Sequence, residues 1–263
     1  VPFGTPVFQS GYFYEGDALN THVVGQLAFL ASRLNGLQVV DWRDPLDPVL
    51  IGQHPTLDFA QDVRVQGRYA YVASWQAGLE IFDVLNPTNL VRVGFCDTPG
   101  LARQVRVLGN RAFVADHASG FSIIDVSDPT RPALLGTAAT GDFAEAVVAS
   151  SNHVFVAAAS SGLQVFNAAN PLAPSWLAGV DTPGHAENLT LINDRAYLAD
   201  YNRGLQIVDV ANPAAPAWLG EFQTEGDAFQ VQVISSRAYV ASGINKVSVV
   251  DVFNPITPAR IST

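Results

Sequence analysis

The sequence has 263 residues, and its 14 basic side chains against 24 acidic ones give a net charge of −10. Such an acidic chain, with Lys246 as its only lysine, argues against nucleic acid and anionic membranes as partners, because both are bound through clusters of Lys and Arg. The 48% hydrophobic fraction supplies a sizeable core, no apolar run reaches the about 18 residues of a membrane-spanning helix, and the single cysteine, Cys96, excludes an intrachain disulfide framework.

A short motif that begins at Gly36 and ends at Asp41 recurs along the chain at a constant spacing of 42 residues. Its copies occupy residues 36–41, 78–83, 120–125, 162–167, 204–209 and 246–251. Alanines at residues 18, 60, 102, 144, 186 and 228 keep the same spacing, as do prolines at residues 45, 87, 129, 171, 213 and 255. Six copies without an insertion or deletion indicate six structural units of one kind.

Each unit predicts four short strands, as the third unit illustrates. Its strands are predicted, in chain order, over residues 103–108, 111–116, 121–126 and 133–137. Residues 109–110 are a Gly-Asn pair, which suits a two-residue hairpin turn because both residues tolerate a positive φ. Residues 117–120 form a loop, residues 127–132 a turn that contains Asp-Pro, and residues 138–143 a connector to the next unit.

Four β-rich strands per repeat, with no helical periodicity, predict an all-β fold. We predict a six-bladed β-propeller with four antiparallel strands per blade, covering residues 1–263 as a single domain. Strands that are apolar on both faces favour this fold over a β-sandwich, in which polar and apolar residues alternate. An open β-solenoid is the alternative, and the absence of distinct capping units counts against it.

Two segments compete for the fourth strand of the last blade, since residues 6–10 and 258–262 both occupy the fourth-strand position of the repeat. We expect the N-terminal strand to close the last blade, because joining the two ends of the chain removes unpaired strand edges. Residues 1–17 are then a closing strand and lead-in, and the repeats run from about residue 18 to residue 263.

The fifth unit resembles a known repeat most clearly. It carries a Gly-Leu-x-Ile-Val-Asp-Val core at Gly204–Val210, preceded by an Ala-Tyr-x-Ala-Asp element at Ala196–Asp200. These motifs resemble the LVIVD-repeat family, and the resemblance covers essentially the whole chain. It implies a propeller and an exported or surface-attached location, and it implies no particular activity. Asn167, Ala178 and Lys246 depart from the pattern, which makes the fourth and sixth units the most irregular.

The symmetry of the repeat separates structural residues from candidate functional ones. A residue type present in every unit answers a requirement common to all units, such as a turn. The column of Asp41, Asp83, Asp125, Asn167, Asp209 and Asp251 is therefore predicted to satisfy backbone groups at strand ends and not to form an active site. Function is expected where the copies differ.

Two sets of loops are expected on one face of the propeller, beside the polar starts of the innermost strands. The candidate ligand-binding residues there are Asp62, Trp75, Arg103, His117, Glu145, His185, Glu187, Tyr201 and Asp227. Such a polar opening could hold a sugar, a small anion at Arg103, or a metal through His185, Glu187 and Asp227. It could equally be the polar lining of a water-filled channel.

No cofactor or metal site is predicted, because the sequence lacks closely spaced histidines, a phosphate loop, a dinucleotide fingerprint and a Gly-x-Ser-x-Gly motif. Outside the loops, Trp176 and Trp218 share one position of the fourth strands in adjacent units. If they are exposed, they form a rim patch for a protein or carbohydrate; we expect instead that the next blade covers them.

The sequence favours a non-enzymatic β-propeller that acts as a protein- or glycan-binding or scaffold module. The alternative is a hydrolase or lyase with Glu145 and Glu187 as acid and base. A lectin with one pocket per blade is disfavoured because the loop residues are not repeated, and an engineered propeller without a natural ligand stays open. The resemblance, together with the absence of an initial methionine, leads us to expect an extracellular, periplasmic or cell-surface protein whose signal peptide has been removed.

Overall fold

A computed structural model describes residues 18–243 and 246–262, and within these ranges the chain forms 24 β-strands and no helix. Accordingly, these ranges contain no helical segment that could cross a membrane. The strands form six antiparallel sheets, each made of four strands that follow one another in the chain. The prediction of four strands in every 42-residue unit is confirmed.

The first strands of the six sheets are β1 (Asn20–Val24), β5 (Asp62–Gln66), β9 (Gln104–Leu108), β13 (Ala146–Ser150), β17 (Asn188–Ile192) and β21 (Ala228–Ile234). The second strands are β2 (Leu27–Ser32), β6 (Tyr69–Ala73), β10 (Arg111–Ala115), β14 (His153–Ala157), β18 (Arg195–Ala199) and β22 (Arg237–Ser242).

The third strands are β3 (Gly36–Asp41), β7 (Leu79–Asp83), β11 (Phe121–Asp125), β15 (Leu163–Asn167), β19 (Leu205–Asp209) and β23 (Val247–Asp251). The fourth strands are β4 (Val49–His54), β8 (Val91–Cys96), β12 (Ala133–Ala138), β16 (Ser175–Val180), β20 (Ala217–Phe222) and β24 (Ala259–Ser262).

Backbone contacts divide the chain into two compact parts, each larger than one 42-residue repeat, which we call unit 1 and unit 2. Unit 1 extends to Val114 and includes Ile124–Leu134, and unit 2 comprises Ala115–Ile123 and the chain from Leu135 onward. Each unit contains clusters of buried apolar side chains that join two successive sheets, which explains why the second and third strands are apolar on both faces. The single domain over residues 1–263 stays a prediction.

The repeated acidic column has the structural role expected from the sequence. In all six copies an Asp or Asn oxygen accepts a hydrogen bond from the backbone N–H two residues later, for example Asp209 Oδ1 from Ala211 N at 2.8 Å. Asn167 makes the same bond to Ala169 N at 2.9 Å, so the amide replaces the carboxylate without loss of the turn.

A second repeated position is explained by close approach of two sheets. A Cβ placed on Gly220 in β20 would lie 2.5 Å from the carbonyl oxygen of Pro255, which belongs to the Asn-Pro turn of the following repeat. Glycine leaves room for that carbonyl in four of the repeats, and Ala178 is the departure in the fourth. The prolines and the fourth-strand glycines therefore recur together because they contact each other.

The fourth strand of the sixth sheet is β24, at the C-terminal end of the chain. Its residues pair with β23, with Arg260 opposite Val250 and Ala259 opposite Asp251. This position is thus filled by the C-terminal candidate and not by the N-terminal one that we expected, because a turn with Asp-Pro or Asn-Pro leads into every fourth strand and Asn254-Pro255 leads into β24 in the same way. The N-terminal closing strand at residues 6–10, within residues 1–17, lies outside the described residues.

Candidate functional site

The loop between the second and third strands of each sheet places one residue in the left-handed region of backbone space. The residues, with their φ values, are Arg33 (25°), Trp75 (41°), His117 (52°), Ala159 (43°), Tyr201 (47°) and Gly243 (64°). The first five each form an isolated β-bridge to the repeated alanine of the next connector, as Tyr201 does to Ala228. The backbone at this position is therefore fixed while the side chain differs in every copy.

The left-handed conformation costs most residue types about 1 kcal/mol or more, with glycine exempt and Asn and Asp less affected, and Gly243 shows that glycine fits the position. Arg33, Trp75, His117 and Tyr201 nevertheless carry large polar or aromatic side chains there. Strained positions that keep such side chains concentrate at binding sites. This column therefore marks the candidate site.

In unit 1, two residues of this left-handed column, Arg33 and Trp75, each take part in a contact between a cation and an aromatic ring. The Arg103 guanidinium carbon lies 5.5 Å from the centroid of the Trp75 ring, and that of Arg33 lies 5.6 Å from the Phe59 ring. Trp75 and Arg103 were predicted site residues, whereas Arg33 and Phe59 were missed. The signal that could have found Arg33 is its position, one repeat before Trp75.

In unit 2 the site begins with His117, whose ring is stacked on Phe143 at a centroid distance of 4.1 Å and an interplanar angle of 9°. His117 Nε2 lies 3.7 Å from Glu145 Oε1. Glu145 is buried, so its carboxylate is held in place beside the stacked pair. The sequence predicted His117 and Glu145, but Phe143 was not recognised.

One repeat later, His185 Nδ1 lies 3.1 Å from Glu187 Oε1, a close electrostatic contact without hydrogen-bond alignment. Both of the predicted catalytic carboxylates, Glu145 and Glu187, are thus adjacent to a histidine. They hold the same position in the connectors that lead into β13 and β17.

A third group surrounds Tyr201. Its hydroxyl donates a hydrogen bond to the Asp227 carboxylate, which raises the pKa of Tyr201 above its usual value, and the negative charge of Glu187 adds to the increase. The Tyr201 ring meets Phe229 edge-on, with centroids 5.6 Å apart, and both rings are exposed. Phe229 was not among the predicted site residues.

The side chains described for unit 2 form what we call the aromatic–acidic cluster. Its members are His117, Phe143, Glu145, His185, Glu187, Tyr201, Asp227 and Phe229. Its oxygens are hydrogen-bond acceptors and its exposed rings are apolar platforms, which together suit a polyhydroxylated ligand. In the described ranges, no group of three or more His, Cys, Asp or Glu residues is arranged to hold a metal ion.

Among the predicted site residues, Asp62 is the one that lies within a first strand and not in a loop or connector. It lies in β5 and is only 1% exposed. Its Oδ2 accepts hydrogen bonds from Val105 N at 3.0 Å and from Arg106 Nη1 at 2.8 Å. Asp62 therefore belongs to a group of side chains on the first strands, described below, and not to the aromatic–acidic cluster.

The expectation that Trp176 and Trp218 are covered by a neighbouring blade is wrong. Their residues are 62% and 50% exposed, because the fourth strands lie at the edges of their sheets. Each indole N–H is already satisfied, by Gln164 Oε1 at 2.8 Å and by Gln206 Oε1 at 2.9 Å. The two rings are therefore available as apolar surface.

Grooves on the side of the hairpin turns do not distinguish one unit from another. In unit 2 a cavity of about 600 Å³ is lined by Asn193, Asp209 and Phe253, among others. In unit 1 a cavity of about 510 Å³ is lined by residues that include Asp41 and Arg43, four repeats before Asp209 and Ala211. Such a repeated groove follows from the packing of successive sheets.

Solved structures show the architecture that these sheets adopt. The β-propeller domain of Myceliophteria thermophila Cps50 (Swd1) matches with a TM-score of 0.75 and 12% identity over 95% of this chain and 86% of that one. The computationally designed Ika8 protein matches with a TM-score of 0.67 and 8% identity over 95% and 87%. At these identities the likeness shows the fold alone: the chain is a six-bladed β-propeller with four antiparallel strands per blade.

The sequence comparisons address the family. No curated protein matches the chain. The family model of the LVIVD repeat matches residues 15–56, 59–98, 99–140, 183–224 and 225–262. The unmatched stretch falls on the fourth unit, where Asn167 and Ala178 depart from the pattern. The predicted resemblance is confirmed, and the chain belongs to the LVIVD-repeat family.

Proposed function

We propose that this propeller is a non-enzymatic binding module whose aromatic–acidic cluster holds a glycan. The observation that carries the proposal is the left-handed backbone at Tyr201 and His117, where large side chains are kept at an energetic cost. Both rings face a carboxylate, since Tyr201 contacts Asp227 and His117 lies beside Glu145.

The chemistry of the cluster favours a sugar over a protein surface. A pyranose presents an apolar C–H face that packs on rings such as Tyr201 and Phe229, and hydroxyls that donate to carboxylates such as Glu187 and Asp227. The aromatic–acidic cluster offers mainly hydrogen-bond acceptors, so it complements a ligand that is rich in hydrogen-bond donors. A protein partner would need a contact of about 1,000 Å² or more in total, which has to include surface outside this group of side chains.

The proposal is tested with the variant Tyr201→Gly. Glycine occupies the same position in the sixth repeat, so the substitution removes the ring without straining the backbone, and the free energy of unfolding should change by less than about 1 kcal/mol. A glycan array identifies the ligand, and calorimetric titration should then show at least a tenfold loss of affinity in Tyr201→Gly.

The matched control is Ser151→Gly, which relieves a left-handed residue in a hairpin turn of the same unit, at φ 52°. It should bind the glycan as the unaltered protein does. An array without ligands, or equal affinity in Tyr201→Gly, would contradict the proposal. If a pull-down with the unaltered protein, but not with Tyr201→Gly, recovers a protein, the ligand of the cluster is a protein and not a glycan.

The alternative, a hydrolase or lyase, is favoured by one observation: Glu145 and Glu187 each lie beside a histidine. Cleavage of the bound glycan that is abolished by Glu187→Gln would support this alternative against a pure binding module. The exported location is also part of our proposal, and its support is the resemblance to exported members of the family.

A further inference from the structure

A second group of polar side chains lies in unit 1, on the first strands of its sheets. His22, Arg64 and Arg106 occupy the same position of three successive repeats, in β1, β5 and β9. Strand β5 contacts both β1 and β9. Asp62 precedes Arg64 by two residues and therefore shares its face of β5. We call these four residues the inner-strand cluster.

Arg106 is the best-fixed member of the cluster. Its Nη1 donates to Asp62 Oδ2 at 2.8 Å and to the carbonyl oxygen of Val105 at 2.7 Å. Only 20% of its side chain is exposed, and this burial lowers the pKa of Arg106 to about 10. The guanidinium remains charged at neutral pH but has lost most of its hydration, which makes a further negative partner favourable.

Arg64 carries a positive charge that no carboxylate neutralises within the described residues. Its one hydrogen bond there goes from Nη1 to the carbonyl oxygen of Val63, at 3.3 Å. It is near enough to Arg106 and His22 for its charge to disfavour the protonated forms of both. The cluster therefore holds two guanidinium groups against one carboxylate, in a chain whose net charge is −10.

His22 adds a hydrogen-bond donor. Its Nδ1 accepts a hydrogen bond from Val65 N at 2.9 Å, so the neutral imidazole must carry its proton on Nε2. Burial and, after it, the charge of Arg64 lower the pKa of His22, which keeps the ring neutral at physiological pH. Nε2–H is then free to donate to a bound anion.

Asp62 adds an acceptor that has no donor. Its Oδ1 is buried and makes no hydrogen bond to any described residue, although Oδ2 of the same carboxylate is fully used. A buried carboxylate oxygen without a partner costs free energy, so a donor is expected to reach it. A protonated anion held by Arg64 and Arg106 would bring such a donor into the cluster.

We propose that the inner-strand cluster binds a small tetrahedral oxyanion that carries a proton, with inorganic phosphate as the ligand. Arg64 and Arg106 hold the charged oxygens, His22 Nε2–H donates to a further oxygen, and Asp62 Oδ1 accepts the hydrogen of the P–OH group. Sulfate has the same shape but no proton at neutral pH, so it would face Asp62 with a lone pair and be rejected.

The test is calorimetric titration of the whole chain with sodium phosphate and with sodium sulfate at equal ionic strength and pH 7.5. We expect saturable one-to-one binding of phosphate, and affinity for sulfate at least tenfold weaker. Arg64→Gln should weaken phosphate binding at least tenfold while thermal unfolding without phosphate stays unchanged or shifts upward, because a like-charge contact is removed. Phosphate should raise the melting temperature of the unaltered protein and not that of Arg64→Gln.

Asp62→Asn tests the selectivity, because the amide can donate to an unprotonated oxygen. The ratio of phosphate to sulfate affinity should fall toward one in this variant. The control is Arg68→Gln, an exposed arginine of the same unit that pairs with Asp83, and it should bind phosphate normally. Equal affinity for the two anions in the unaltered protein, absence of saturable binding, or unchanged binding in Arg64→Gln would overturn the proposal. None of these three outcomes bears on the glycan experiment, because Tyr201→Gly changes a residue outside the inner-strand cluster.

Discussion

Two connectors of unit 2, residues 140–144 and 182–186, are each bound to the adjacent loop by a carboxylate, but the carboxylate belongs to the connector in one case and to the loop in the other. In the first, the carboxylate belongs to the connector: Asp142 accepts hydrogen bonds from Phe143 N at 2.8 Å, from Ser160 N at 3.1 Å and from the Ser160 hydroxyl. In the second it belongs to the loop: Asp200 accepts from the Thr182 hydroxyl at 2.7 Å and from Gly184 N at 2.9 Å.

The exchange has a steric cause. Gly184 occupies the position of Asp142, and a Cβ at Gly184 would lie 2.8 Å from Asp200 Oδ2 and closer still to the Asp200 carbonyl oxygen. A Pro-Gly connector therefore needs its carboxylate in the loop, where the first connector faces Ala158 instead. The two repeats thus keep a carboxylate between connector and loop, although a different residue supplies it in each.

The comparison limits the rule that function lies where the copies differ. Asp142 and Gly184 differ, and so do Ala158 and Asp200, yet each difference compensates the other. Variable positions for which we find no such compensating pair include the left-handed column and the inner-strand cluster. Both of our proposals rest on these two sets.

The largest expected effect is on the free energy of unfolding, which should fall more when the buried carboxylate of Asp200 is removed than when that of Asp142 is removed. Asp200→Ala leaves the Thr182 hydroxyl and the Gly184 N–H unsatisfied in a buried place, and we expect it to lower the free energy of unfolding by about 2–3 kcal/mol. Asp142→Ala exposes its donors to water, and we expect a loss of about 1 kcal/mol or less. Urea unfolding measures both.

Asp200→Asn is the control for shape, since it keeps an acceptor for Gly184 N and should lose less than Asp200→Ala. Equal losses for Asp200→Ala and Asp142→Ala would mean that burial does not distinguish the two connectors.

A medium effect is expected when one connector is converted into the other. Gly141 has a φ of 85°, which proline cannot adopt, so Gly141→Pro with Asp142→Gly forces a new backbone and should destabilise the protein. Adding Ala158→Asp supplies the carboxylate from the loop side and should restore about 1 kcal/mol. A double-mutant cycle on unfolding free energies measures this coupling.

The matched control introduces Ala158→Asp alone, where the new carboxylate faces Asp142 and should be destabilising. A coupling of zero between loop and connector would show that the two connectors are not interchangeable solutions.

Much of the architecture follows from the sequence alone. A constant 42-residue spacing with four β-rich segments leaves few folds other than a propeller, and the Asp41 column is identified as structural by its presence in every copy. The chemistry of the site is less accessible because it depends on contacts across repeats. Phe143 and Phe229 act through stacking and edge contacts that no spacing encodes, and the exposure of Trp176 depends on which strand forms the sheet edge.

The inner-strand cluster illustrates the same limit. Asp62 was singled out by its position next to the loops, but its partner Arg106 lies one repeat further on, and the unsatisfied Oδ1 is visible only in three dimensions. Sequence periodicity places His22, Arg64 and Arg106 at one position of the repeat, but it does not show that Asp62 pairs with Arg106 while Arg64 meets no carboxylate among the described residues.

The smallest effect, and the sharpest in sign, concerns pH. Hydrogen bonds from Ser160 and Phe143 lower the pKa of Asp142, so its contribution to stability is present above the unfolded-state pKa of 3.8 and is lost as the pH falls through the lower folded value. Burial raises the pKa of Asp200, so its contribution is complete below 3.8 and is lost as the pH rises through the higher folded value. Between pH 6 and pH 3, the unfolding free energy of the unaltered protein relative to Asp142→Asn should therefore fall, whereas relative to Asp200→Asn it should rise. Urea titrations of the three proteins at each pH measure the two differences, and slopes of the same sign would show that the two carboxylates do not occupy electrostatically opposite environments.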